Sequence, residues 1–279
     1  MRFTKMHGAG NDFIIINNIE EKLPRDALPA LAKRLCAAHT GAGADGLMAV
    51  ESAVRGGDYA MLFFNSDGSE GEMCGNGARC IARYGYDHGL AGETQHVETV
   101  SGTVTGRRIT PTLYRVRLND PSLMDLHRPI SVCGRVCDCA YAELGVPGLP
   151  HAVLLLPELE DMDRGALFAL GRALRHAPEF PRGANVSFVK PIGADAFRAV
   201  TYERGVEDFT LACGTGCGTG CGTAAAALTL RGLASGRDVR FLMPGGELSI
   251  SLTVENGAAR DIYLTGPTAV VYEAELVGL

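Results

Sequence analysis

The strongest constraint on this chain is a repeat. "MCGNGARC" at residues 73–80 has a counterpart in "ACGTGCGT" at 212–219, and the lead cysteines, Cys74 and Cys213, stand 139 residues apart in a chain of 279. A spacing of half the chain points to duplication, each half being built around one copy of the same unit. The flanks agree. A β-prone run precedes each motif, "YAMLFFNSDG" (59–68) and "AFRAVTYERG" (196–205), and a polar residue, Asn65 or Arg204, stands nine positions before each cysteine. After each motif come helix formers, "ARCIARYGYDHG" (78–89) and "TAAAALTLRGLA" (223–234), the second closed by a glycine stop. The alternating runs at 103–119 and 248–266 read as β-hairpins. The predicted fold is α+β: two pseudo-symmetric halves, each a mostly antiparallel sheet wrapped around a central helix. The predicted halves span residues 1–125 and 126–265, with a terminal strand at 266–279 returning to the first.

Composition restricts the partners. With 46% apolar residues the chain can bury a sizeable core, and its net charge of −6 carries no clustered Lys/Arg patch, which argues against nucleic acid. No apolar run is long enough to span a bilayer, and the start, "MRFTKMHGAGNDFIIIN", reads as a strand and not as a leader. A cytoplasmic protein acting on a small molecule is the expectation. Nine cysteines cannot all pair, and in that compartment they read as free thiols, ligands or catalysts.

A cysteine at a helix N-terminus feels unpaired backbone N–H groups and the positive end of the helix dipole, which favour its thiolate. The glycines let a ligand carboxylate approach the same N–H groups. A single Cys-Gly would be read as a small buried hydrophobe beside a turn. Two in register suggest another use: with both helix starts directed at one carboxylate, one thiol can take a proton from one face of the α-carbon and the other can return a proton to the opposite face. That is racemisation or epimerisation without a cofactor.

The chain resembles the diaminopimelate epimerase family, the pyridoxal-independent enzymes of lysine and peptidoglycan biosynthesis. The resemblance is carried by "MHGAGNDF" (6–13), "GAGADG" (41–46), "FFNSDGSEGEMCGNGARC" (63–80), "ANVSF" (184–188), "YERG" (202–205), "LACGTG" (211–216) and "MPGGEL" (243–248). It implies two pseudo-symmetric halves with the active site in the cleft between them, a homodimer, and no cofactor or metal. Position by position, it puts the catalytic thiols on Cys74 and Cys213. Gly75, Asn76, Gly214 and Thr215 would hold the α-carboxylate and disperse the carbanion charge. Asn11, Asn65, Asn185 and Arg204 match substrate binders, Arg204 being suited to a distal carboxylate. Glu203 is placed to hold an ammonium or tune a thiol. His151 would stand beside the thiols, where it could poise the first as thiolate; the alternative is a hydrogen-bonded structural histidine.

Two departures stand out. The second motif continues as "CGTGCGTGCGTAAAA" (213–227), so Cys217 is an alternative to Cys213. The spacing from Arg204 selects Cys213, and the extra glycines predict a late or irregular helix start. Cys217 and Cys221 lack the partners of a metal or iron–sulfur site. The family's Gly-Asn-Pro-His is Gly148-Leu149-Pro150-His151 here, and an aliphatic residue cannot replace the Asn hydrogen bonds to the distal end of the substrate. Cys133, Cys137 and Cys139 do not have zinc-site spacing and read as free thiols. Three other functions compete: a racemase of another amino acid such as histidine, a phenazine-biosynthesis-type isomerase, and a non-catalytic binding module. The matched cysteine pair speaks against the last two.

Overall fold

Runs that are apolar at every position, such as Phe13-Ile14-Ile15-Ile16, belong to strands covered on both faces. Phe13 and Ile15 pack with Met48, Phe63, Ile81 and Tyr84, whereas Ile14 and Ile16 pack with Leu28, Leu31, Leu35 and Leu47, the alternation that a period of two demands. The computed structural model describes every residue except 72, 73, 147, 212–216, 278 and 279, and of 217–219 the backbone alone. It falls into two units, Met1–Val116 with Gly266–Leu279, and Arg117–Thr265.

In the first unit β1 (Arg2–Gly8) runs antiparallel to β2 (Asn11–Asn17). Then β2 is parallel to β3 (Gly46–Glu51), and β3 antiparallel to β4 (Tyr59–Asn65). Next, β4 is parallel to β5 (Thr94–Thr99), followed by the antiparallel β6 (Gly102–Arg108) and β7 (Leu113–Arg117). The β2–β3 crossover contains α1 (Asn18–Glu21) and α2 (Leu28–Leu35); the β4–β5 crossover contains α3 (Gly75–Asp87). Helix α2 buries Leu28, Leu31, Ala32 and Leu35, one amphipathic stripe. Helix α3 is buried at every position from Gly75 to Ala82; it is the central helix, wrapped and not merely covered.

The second unit repeats the pattern. β8 (Pro121–Val132), β9 (Arg135–Leu144) and β10 (Leu149–Leu155) are antiparallel in turn, and β10 is parallel to β11 (Asn185–Gly193). β11 is antiparallel to β12 (Ala196–Tyr202), against which the short β13 (Phe209–Thr210) lies. β12 is parallel to β14 (Val239–Met243), and β15 (Gly246–Glu255) and β16 (Ala258–Pro267) follow antiparallel. The crossovers contain α4 (Arg164–Arg175) and α5 (Cys217–Leu230). Thus β2-β3-β4-β5 and β10-β11-β12-β14 share one sequence of parallel and antiparallel steps. Finally β17 (Ala269–Glu275) pairs antiparallel with β1, as β8 pairs with β9.

Helix α5 is buried without interruption from Gly220 to Leu228, as suits a helix with no charged residue and apolar or small side chains on every face. A Cβ on Gly222 would come within 2.8 Å of Leu118 Cδ1 and 3.4 Å of Ile262 Cγ2, so this face of the helix packs closely against the side chains beside it. The start of this helix before Cys217, where a late or irregular beginning is predicted, lies outside the described residues.

Candidate active site

In the first unit the site grows from a tight β1–β2 turn and from the start of α3. Ala9 and Gly10 both have positive φ, +55° and +86°, the pattern of a two-residue hairpin turn. The turn delivers Asn11 to the first position of β2, where it is 3% exposed. Cys74 is the N-cap of α3, extended at φ −115° and ψ 121°, and 1% exposed. Its carbonyl accepts from Ala78 N, which places Gly75 and Asn76 in the first turn of the helix, at the positive end of its dipole. The Cys74 thiol donates to Asn11 Oδ1 at 3.4 Å, and Asn76 Nδ2 donates to the same oxygen at 3.4 Å. Asn11, Cys74, Gly75 and Asn76 therefore come together.

Asn65 ends β4, half-buried, with its amide donating to Ser69 Oγ at 2.9 Å inside its own turn. That bond stays within the turn. Burial pushes the Cys80 thiol up to about 12, and Cys36 likewise to about 12, which makes both inert hydrophobes.

In the second unit His151 and Asn185 are register partners on the parallel strands β10 and β11. The backbone N–H of Arg204 donates to Asn185 Oδ1 at 2.7 Å, and its guanidinium donates to the Arg182 carbonyl at 3.2 Å. Glu203 is fully buried, and its backbone N–H donates to Asp208 O across the turn that follows β12. His151 is also fully buried, and among the described residues neither ring nitrogen has a partner at good hydrogen-bond geometry, the Leu149 backbone being the polar group that favours its charged form. Burial lowers its pKa to about 4; the Leu149 backbone opposes this and the Arg204 charge adds to it. A Cβ on Gly220 would lie 3.4 Å from His151 Nε2 and 3.5 Å from Ser187 Oγ, so α5 brings a bare backbone to the imidazole. Cys213, Gly214 and Thr215 lie outside the described residues, as does the Cys217 side chain; Cys221 is buried.

The description of one family model, diaminopimelate epimerase, matches residues 3–108 and 146–271. The chain belongs to the diaminopimelate epimerase family. A diaminopimelate epimerase of Aquifex aeolicus is 37% identical over 291 residues, covering 99% of this chain and 98% of the relative. One of Moorella thermoacetica is 38% identical over 293 residues, covering 99% of each. Among solved structures, a hydroxyproline epimerase from Agrobacterium vitis superposes with a TM-score of 0.70 at 17% identity, over 98% of this chain and 91% of that one. A phenazine-biosynthesis family protein of Bacillus anthracis gives 0.71 at 12% identity, over 99% of both. At such identities the likeness is one of fold.

Within this family the chain carries Leu149 as a half-buried first residue of β10, paired with Leu144, and the carbonyl before it, Gly148 O, accepts from Arg182 at 3.0 Å. The clustered cysteines have an ordinary explanation. Cys137 and Cys139, two apart on β9, face one core with Leu154 and Phe188, and Cys133 is exposed in the β8–β9 turn. Sequence reasoning missed two site residues. Arg79, fully buried on α3, donates to Asn76 Oδ1 at 2.9 Å, and Asp45 accepts from Asn11 Nδ2 at 2.5 Å. The available signal was a charge in the middle of a buried helix. No helix among the described residues is long and apolar enough to cross a membrane.

Proposed function

We propose that this protein interconverts LL- and meso-diaminopimelate without a cofactor, using Cys74 and Cys213 as its acid–base pair. The observation that carries this reading is the Cys74 site: in a chain of the diaminopimelate epimerase family, a buried thiol stands at the N-cap position of α3 beside two carboxamides. One thiol, as thiolate, takes the α-proton and becomes a thiol; the other gives its proton to the opposite face and becomes a thiolate. Atoms and charge balance over the turnover, and the two sulfurs exchange roles for the reverse reaction. The first-turn N–H groups of Gly75 and Asn76, with Gly214 and Thr215, take the α-carboxylate and the charge that develops as the C–H bond breaks. Asn11 and Asn65 line the first half; Asn185, Glu203 and Arg204 receive the distal amino-acid group, the guanidinium taking its carboxylate. The neutral, buried His151 serves as a proton acceptor or a polar wall. The protein acts in the cytoplasm as a homodimer, in lysine and peptidoglycan biosynthesis.

One observation favours a second reading. Leu149 offers no hydrogen bond to a distal amide-seeking group, so a racemase for a different amino acid with the same two thiols is the alternative. The test is α-proton exchange in deuterated water with LL-diaminopimelate, L-histidine and L-glutamate side by side. Exchange with diaminopimelate alone is expected. Exchange with a single-centre amino acid and none with diaminopimelate would overturn the substrate and leave the thiol chemistry in place.

A further inference from the structure

Around Cys74 the polar side chains form one chain of hydrogen bonds with a charge at each end. Arg79, fully buried, donates from Nη2 to Asn76 Oδ1 at 2.9 Å and from Nη1 to the Gly75 carbonyl at 3.3 Å. Asn76 Nδ2 donates to Asn11 Oδ1 at 3.4 Å, and Asn11 Nδ2 donates to Asp45 Oδ2 at 2.5 Å. The Cys74 thiol joins in the middle, on Asn11 Oδ1 at 3.4 Å.

The end groups fix the direction of everything between them. A guanidinium can only donate and an ionised carboxylate can only accept. Asn76 must therefore turn its oxygen to Arg79, and Asn11 must turn its NH2 to Asp45. What is left, the Asn76 NH2 and the Asn11 carbonyl, then meets head to tail beside the sulfur. Flipping either amide would set donor against donor at one end, or acceptor against acceptor at the other. Two carboxamides between neutral neighbours would have no such preference.

Both ends are built into the fold. Burying a guanidinium is costly, and a helix that needed only to pack would carry an apolar residue at this position, as it does at Ile81 and Ala82. β1 leaves out a side chain where Arg79 lies: a Cβ on Gly8 would come within 3.1 Å of its Nη2. Asp45, exposed on its other side, is held by reciprocal bonds with Asp12: Asp12 N donates to Asp45 Oδ2 at 3.1 Å and Asp45 N to Asp12 Oδ1 at 2.9 Å. Asp12 is ion-paired with Lys5 at 2.6 Å.

We propose that Arg79 and Asp45 are positioning residues that lock the carboxamides of Asn76 and Asn11 head to tail, so that the first thiol always meets an oxygen of Asn11 and the Asn76 NH2 always points toward it. That the lock serves turnover rests on the epimerase reading; that it exists does not.

The test follows the side-chain NH2 groups of Asn11 and Asn76 by NMR in 15N-labelled protein, assigned with Asn11→Ser and Asn76→Ser. Arg79→Met speeds solvent exchange of the Asn11 NH2, a group that Arg79 does not touch, by about tenfold, the order expected for release of one hydrogen bond. Asp45→Ala does the same to the Asn76 NH2 from the other end. Arg79→Lys, which keeps donor and charge, leaves the Asn11 exchange near the wild-type rate. If each variant disturbs only the amide it contacts, the lock is overturned. In turnover, Arg79→Met and Asp45→Ala each lower kcat by about tenfold or more with little change in KM, and the double variant is no slower than the worse single one. Their effects on Tm fall short of adding, as for two members of one hydrogen-bond network; kcat losses that multiply would overturn the proposal. Should Arg79→Met not fold, Asp45→Ala still gives the amide readout. A wild-type protein that exchanges no α-proton refutes the epimerase reading instead, and the amide readout still decides the lock.

Discussion

His151 ties stability to pH in a way that a single substitution isolates. Its ring is fully buried, and burial lowers its pKa from the ordinary 6.5 to about 4. The native state therefore refuses a proton that the unfolded chain accepts. The stabilisation from keeping this ring neutral is complete above the unfolded value, and it is lost as pH falls from there toward the folded one. Comparing proton binding in the two states gives a loss of about 2 kcal/mol between pH 7 and pH 5, with a limit of about 3 kcal/mol below pH 4. His151→Phe keeps a flat ring and removes both nitrogens. Since neither nitrogen has a well-formed hydrogen bond among the described residues, the variant should be about as stable as wild type at pH 7, within the ~1.5 kcal/mol of a shape-conserving swap. Urea unfolding of both proteins at pH 7 and pH 5 measures the effect. Carboxylates titrate alike in the two chains and cancel, so wild type should lose about 2 kcal/mol more than the variant over that interval. Parallel losses would show that the ring is protonated or solvated in the native state, and the reasoning from its burial would fail.

Cys74→Ala and Cys213→Ala should each abolish α-proton exchange with the fold retained by circular dichroism, because each thiol serves one face; Cys217→Ala should be mild. A dead Cys217→Ala beside an active Cys213→Ala would move the second thiol one repeat along. Leu149→Asn should lower KM for LL-diaminopimelate by roughly the 1–2 kcal/mol of one or two neutral hydrogen bonds, and a raised KM in steady-state kinetics would favour a pocket rebuilt for another side chain. In α5, Gly220→Ala has room at 3.4 Å from its nearest neighbour and gains up to about 1 kcal/mol of helix propensity, so its Tm should rise. Gly222→Ala drives a Cβ to 2.8 Å from Leu118 Cδ1 at an overpacking cost of about 1–3 kcal/mol, and should melt below Gly220→Ala; the reverse order would refute the seating of the helix.

The architecture was legible because its signals are local and occur twice. The apolar runs of β2–β4, the hairpins β6–β7 and β15–β16, and a helix following each Cys-Gly-x-Gly motif can all be read from neighbouring residues. Arg79 and Asp45 were not legible, although both stand inside quoted motifs, because their meaning is set by register. The parallel pairing of Phe13 with Gly46 is what puts Asp45 beside Asn11, across a gap in sequence that no periodicity reports. Leu149 shows the converse: its identity was plain, and its surroundings, with Arg182 bonded to the preceding carbonyl, were not.

The two copies have kept their topology and diverged in their polar residues, and the divergence has a direction. The equivalent positions nine residues before each lead cysteine are Asn65 and Arg204; the first spends its amide on Ser69 in its own turn, while the second extends a guanidinium to the Arg182 carbonyl. The first unit gathers amides, Asn11 and Asn76, around its thiol. The second gathers a carboxylate, a guanidinium and a neutral imidazole in Glu203, Arg204 and His151. For the proposed reaction this is the division that the chemistry requires. Proton removal and return at one carbon are mirror-related steps, so the acid–base groups should be alike. The substrate's two ends are not alike, since one must lose a proton while the other is only held, so the groups that bind them should differ. Duplication supplies the first condition at once. The second could be met only after the copies were free to change separately, which fits lead cysteines that match in sequence and polar residues nine positions before them that do not.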